Sequence, residues 1–113
     1  MAGKFSYVIE FVADMGRAVK FYRDVVGLTL KFESPGWSEF QTGETTFALH
    51  PASPHNPAGK IELGLMVKDL GQSFEELKRQ GVKFLMPPTK QDYGGMLARF
   101  EDSEGTAWSL GGA

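Results

Sequence analysis

The sequence contains no cysteine. That absence excludes a disulfide framework, a thiolate metal centre and a cysteine nucleophile, and it fits a cytoplasmic protein. Histidine is scarce, with only His50 and His55. No apolar run approaches the ~20 residues needed to cross a bilayer, and the opening Met1-Ala2-Gly3-Lys4-Phe5 lacks the apolar stretch of a secretion signal. Lysine and arginine are scattered, with no basic stripe, and the formal net charge is −2. Neither nucleic acid nor a membrane is therefore an expected partner. What is present is ordinary for a folded domain. The 113 residues, 42% hydrophobic and 23% charged, suffice for one domain, residues 1–113, with a core that needs no staples.

An internal repeat organises the chain. Val12-Ala13-Asp14-Met15-Gly16 returns as Val67-Lys68-Asp69-Leu70-Gly71. The register holds through Val19 with Phe74 and Tyr22 with Leu77, then slips by one at Gly27 with Gly81. Two copies are too few for a solenoid, so they read as two modules of one domain, about 1–50 and 61–113, joined by a linker over 51–60. Each opens with a strand, 5–12 and 61–67, that runs into an aspartate. Asp14 and Asp69 read as helix N-caps, and Gln72 completes a capping box with Asp69. Met15, Ala18, Val19, Tyr22, Val25 and Val26 form an apolar stripe at helical spacing. Leu70, Phe74 and Leu77 do the same in the second module, and Gly27 and Gly81 end the two helices. Short strands follow: 28–34, 37–42 and 45–50, then 83–86, 96–101 and 106–110. They are divided by Pro35-Gly36, Gly43-Glu44, Pro87-Pro88 and Asp102-Ser103-Glu104-Gly105. The expected fold is α+β, with two tandem βαβββ modules. One helix covers only one face of each sheet, so two curved mixed sheets facing each other would enclose a ligand trough.

The segment Asp14 to Leu28, with its Phe21-Tyr22-Arg23-Asp24-Val25-Val26-Gly27-Leu28, resembles the first-helix signature of the vicinal oxygen chelate superfamily. That group contains glyoxalase I, extradiol dioxygenases, fosfomycin-resistance transferases and bleomycin-binding proteins. Val67-Lys68-Asp69-Leu70, Gly81-Val82 and the Asp102–Gly105 turn extend the likeness over nearly the whole chain. Metal enzymes of the superfamily carry a ligand on the first and on the last strand of each module. The resemblance places those positions on Tyr7, Ala48, Glu62 and Ser109. Of these only Glu62 is a good ligand. His50, on the face of Ala48, raises the count to two at most, and a catalytic metal needs about three protein ligands. No metal and no other cofactor is expected.

Several side chains are candidates for the site. Glu62 shares a strand face with Gly64 and Met66, opposite Leu63 and Leu65, and so points into the trough. It reads as a general base, a binder of cationic ligands, or half of an internal ion pair. His50, at a strand end, is either a proton donor at the cavity mouth or a rim residue. Tyr7, Trp37, Met66, Tyr93 and Ser109 are the other expected ligand contacts, Trp37 and Tyr93 because they flank turns. Arg99 either binds an anion or pairs with a neighbouring acid. Glu10 interrupts an apolar strand on the face of Val8 and Val12, and so needs a partner or an exit to solvent.

Two functions stay open. In the first the chain is a metal-independent, homodimeric small-molecule binder similar to the antibiotic-sequestering proteins, and the slight acid excess points to a cationic or aromatic ligand. In the second it is a glyoxalase-like lyase or isomerase using Glu62 with His50 or Tyr7. A regulatory domain with a vestigial trough is a third reading.

Overall fold

The computed structural model describes residues 3–91 and 94–112. Along the chain run β1 (Lys4–Val12), α1 (Met15–Lys20), a wider π-helical continuation (Phe21–Val26), β2 (Thr29–Phe32), β3 (Ser38–Thr42) and β4 (Thr45–Pro51). The same order returns as β5 (Ile61–Met66), α2 (Leu70–Arg79), β6 (Phe84–Lys90), β7 (Met96–Glu101) and β8 (Ala107–Gly112). This is an α+β fold of two βαβββ modules. The chain divides into two compact units, Ser6–Ile61 and Met1–Phe5 with Glu62–Ala113. No helix among the described residues is long and apolar enough to cross a membrane.

In the first unit the strand order is β2-β3-β4-β1. The β2–β3–β4 meander is antiparallel, and β1 lies parallel to β4, with Phe11 opposite His50. Strand alternation turns Val12, Phe40 and Leu49 toward α1, where they bury Val19 and pack against Met15, Ala18, Tyr22, Leu28 and Phe47. The other face carries a second buried group, Ile9, Phe11 and Ala48, packed by Tyr7, Trp37 and Ala52.

The second unit repeats this topology as β5-β8-β7-β6. Here β5 is parallel to β8, and both β7–β8 and β6–β7 are antiparallel. Val67, Leu70, Ala98 and Leu110 form its core under α2, with Leu65, Leu77, Phe84, Met96 and Phe100 against it. At the end of β8 the backbone closes on itself. A Cβ added to Gly112 would lie 2.7 Å from the Val67 carbonyl oxygen, so this position admits glycine alone without a shift.

The helix starts follow the sequence. Asp14 accepts from the Arg17 amide and Asp69 from the Gln72 amide, both at 3.0 Å. The capping box is incomplete, because the Gln72 amide side chain donates instead to Glu76 one turn on. The slip at Gly27 has a structural cause. The first module holds one residue more than the second between its N-cap aspartate and its helix-ending glycine, and a single extra residue in a helix is accommodated by widening a turn. The chain leaves this segment through Gly27 in the left-handed region, φ 88°. The wider turn carries Val25 and Val26 off the apolar stripe, and they are 73% and 52% exposed. Leu28 packs on the core below them.

One other expectation is corrected. Pro87-Pro88 does not end a strand. β6 continues to Lys90 with register shifts around Met86 and Thr89, since an outermost strand tolerates residues without an N–H. The segment 51–60 that joins the modules is tied to β1. Ala52 donates to the Val12 carbonyl, Gly59 to that of Phe11, and Phe11 to that of Lys60, all within 2.8–2.9 Å. Those bonds fasten it along β1, so it belongs with the first unit.

Candidate functional site

In the second unit, strand parity brings three of the singled-out side chains together. On β5, Leu65 packs toward α2, as does Val67 just past the strand's end, so Glu62, Gly64 and Met66 face the other way. On β7, Ala98 and Phe100 face α2 and Arg99 does not. On β8, Leu110 faces α2 and Ser109, directly opposite Arg99 in the ladder, does not. The Glu62 carboxylate therefore meets both. Arg99 Nη2 donates to Glu62 Oε1 at 2.5 Å, and Nε donates to Oε2 over a longer 3.4 Å. The Ser109 hydroxyl donates to Oε2. The Glu62 side chain is 4% exposed and that of Arg99 25%. A buried carboxylate of this kind needs a paired cation and further hydrogen bonds, and it has both. Of the roles open to Glu62 and Arg99 in the sequence, the structure adopts the internal ion pair. Glu62 can serve as a base or a cation binder only if this network opens.

Met66 lies over Gly111, where an added Cβ would come within 2.7 Å of its Sδ. Tyr93 lies outside the described residues. The other candidates belong to the first unit. The His50 ring meets Phe11 edge-on at 5.3 Å and Trp37 at 6.3 Å between centroids. Its Nδ1 is 2.8 Å from the Pro51 carbonyl oxygen, an acceptor, so Nδ1 carries the hydrogen and Nε2 is the nitrogen left for proton exchange. The Trp37 indole donates to Glu39 at 2.9 Å, and Glu39 in turn faces Lys31. Tyr7 packs against Ile9, Phe11 and Ala48 on the same face.

The residues present do not fit the divalent cation of the metal enzymes. Ala48 offers no donor atom. Both Glu62 oxygens accept from the Arg99 guanidinium, which would repel a second cation at contact distance. Among the described residues no three His, Cys, Asp or Glu side chains converge on a metal position.

In the sequence Glu10 stands out without its partner, and Asp102 is missed as an anchor. Glu10 accepts a hydrogen bond from the Tyr22 hydroxyl at 2.5 Å, which supplies the partner its place on the α1 face demands. Burial, then the Glu10 hydrogen bond and charge, push the Tyr22 hydroxyl up to about 12. Asp102 accepts from the Trp108 indole and from the Thr106 and Glu104 amides. Those bonds, the indole first, hold its carboxyl below the usual range. The Asp-Ser-Glu-Gly turn signals the second anchor. No spacing rule signals the first, which spans strand and helix.

A family model described as the Glyoxalase/Bleomycin resistance protein/Dioxygenase superfamily matches residues 4–110. An uncharacterized protein of Shewanella frigidimarina is 34% identical over 61 residues, a stretch that takes in 54% of this chain and 44% of that relative. The chain thus spans less than half of that protein's length. The uncharacterized protein YetH of Bacillus subtilis is 23% identical, with 91% of this chain and 92% of YetH covered. Among solved structures, methylmalonyl-CoA epimerase from Mycobacterium tuberculosis is similar in fold. It has a TM-score of 0.75 and 20% identity, with 96% of this chain and 87% of that one covered.

Proposed function

We propose that this chain, which belongs to the Glyoxalase/Bleomycin resistance protein/Dioxygenase superfamily, binds a small organic molecule without a metal ion. One observation carries the reading. The only good metal ligand among the positions the resemblance assigns, Glu62, is bonded to Arg99 and Ser109, so its carboxylate already serves a side-chain cation. Binding without bond-breaking requires only shape, apolar contacts and a few fixed polar groups. The Glu62–Arg99–Ser109 network and the Trp37–His50 pair are groups of that kind. Sequestration of an antibiotic or a metabolite is the activity proposed.

Assembly as a homodimer is part of the proposal. Phe21, Val25, Val26 and Phe32 are large apolar side chains left exposed in the first unit, and a closed pair is the commonest way to cover such residues. Sedimentation at micromolar concentration is expected to give a dimer.

The binding reading is tested by elemental analysis together with a thermal-shift screen. The screen spans neutral aromatics, organic cations and organic carboxylates, each run with and without a chelator. Binding that survives chelation, in protein holding well under one metal per chain, is the expected result. Stoichiometric metal, or turnover of a hemithioacetal that depends on added metal, would overturn it in favour of a glyoxalase-type lyase.

A further inference from the structure

We propose that Arg99 is an oxyanion receptor: Glu62 holds one edge of its guanidinium, and the remaining edge takes a carboxylate or similar planar oxyanion of the ligand. The inference rests on the small-molecule reading above and names the chemistry of that ligand.

A guanidinium is planar and carries five N–H donors arranged as two forks, one along the Nε–Nη2 edge and one along the Nη1–Nη2 edge. Glu62 occupies the first, with Nη2 at 2.5 Å and Nε at 3.4 Å. Among the described residues, Arg99 has no acceptor other than Glu62, and none of them takes up the second fork. It matches the spacing of the two oxygens of a carboxylate. The carboxylate behind it is also fixed from a second side by the Ser109 hydroxyl. Glu62 therefore acts as a clamp that sets the plane of the guanidinium before any ligand arrives, and such preorganisation removes much of the entropic cost of binding.

Exposure is ordered in the same sense. Glu62 is the deeper member and Arg99 the outer one, 4% against 25%. The cation thus stands between the buried acid and whatever approaches. Beside it the face is apolar on one side, while on the other Glu101, one strand period on, is paired with Lys83 at 3.3 Å. Met86 sits opposite Arg99 in the β6–β7 ladder, and Leu97 precedes it by one strand period on the same face. An organic acid would set its carboxylate on Arg99 and its carbon skeleton on these side chains. A cationic ligand would meet the guanidinium first and be repelled. The expected ligand sign is therefore opposite to the one the acid excess of the sequence suggests.

The test uses phenylacetate as the probe and phenylacetamide as its neutral isostere, titrated calorimetrically into the full chain. Phenylacetate should bind and phenylacetamide should bind at least ~10-fold more weakly, the size of a lost charge-assisted hydrogen bond. Glu62→Gln keeps an acceptor for Arg99 but removes the competing negative charge. It should tighten phenylacetate by roughly 3- to 10-fold. Arg99→Gln alone strands a buried carboxylate and can unfold the chain, so the decisive variant is the neutral pair Glu62→Gln/Arg99→Gln, which should lose the preference for the acid over the amide. Equal binding of acid and amide by the parent protein overturns the assignment. So does unchanged or weakened phenylacetate binding in Glu62→Gln, or an acid preference kept in the double variant. A neutral or cationic ligand that binds parent and double variant alike leaves small-molecule binding standing and removes only Arg99. No binding by any member of the wider screen removes both.

Discussion

The Tyr22 hydroxyl donates to Glu10 over 2.5 Å, tying the start of the π-helical segment to the last third of the first strand. The bond places a phenol and a carboxylate, both half-buried, in one contact on the α1 face of the first sheet.

That contact gives the protein an alkaline signature. The Tyr22 hydroxyl titrates near 12 when folded, against about 10 in the unfolded chain. Between those values the unfolded state holds fewer protons, so the stability Tyr22 contributes is intact below about pH 10 and is lost as pH climbs toward 12. Ultraviolet titration of the folded protein should show one of the three tyrosines ionising last. Tyr22→Phe should remove that step. A single late phase that persists in the variant would assign it elsewhere.

The ion pair in the second unit can be tested by stability alone. Arg99→Ala leaves Glu62 buried without its cation and should cost about 3 kcal/mol, the lower end for a broken buried pair because Arg99 is partly exposed. The neutral pair Glu62→Gln/Arg99→Gln should recover most of that loss. Urea midpoints at constant m-value measure both, and a double variant as unstable as Arg99→Ala would contradict the charge argument.

The extra residue in the first helix should be dispensable. Val25 is mostly solvent-exposed and follows Tyr22, so its deletion restores the spacing of the second module without moving the Glu10 contact. The shortened chain should keep its circular-dichroism spectrum and lose no more than about 1 kcal/mol. Deletion of Glu75 from α2, which has no slack, rotates Leu77 away from its core and should cost over ~2 kcal/mol. An unfolded Val25 deletion would mean that the wide turn is required by the fold.

Gly112→Ala should destabilise the second unit by about 1–3 kcal/mol, because the new methyl meets a backbone carbonyl that cannot step aside. Gly36→Ala, with no atom within 4 Å of the added Cβ, is the control and should stay within ~0.5 kcal/mol. Thermal melts of the two variants settle the comparison.

The elements were legible in the sequence wherever one local rule governs them. Asp14 and Asp69 cap helices because a short acceptor faces free amides, and Gly27 ends one because only glycine takes that backbone at little cost. Strand parity alone put Glu62 on the face away from the helix, and the sequence named Arg99 and Ser109 as candidates beside it. What parity could not say is that they meet, since Glu62 and Arg99 lie far apart in the chain and only the β5–β8–β7 pairing brings them side by side. The slip between Gly27 and Gly81 was visible as a one-residue offset. Its outcome was not, because an inserted residue can widen a turn, lengthen a loop or shift a strand, and packing around Tyr22 and Leu28 decides among these.

The outermost strand of the second unit carries Pro87 and Pro88 in its middle. Neither has an N–H to offer, so a β-strand from another polypeptide cannot continue the hydrogen-bond ladder across this edge. The register shifts beside the prolines disturb the regular spacing such a strand would need. The same feature that the sequence presents as punctuation thus acts as insulation: it steers any self-association of this unit away from open-ended sheet extension, the route that leads to fibrils.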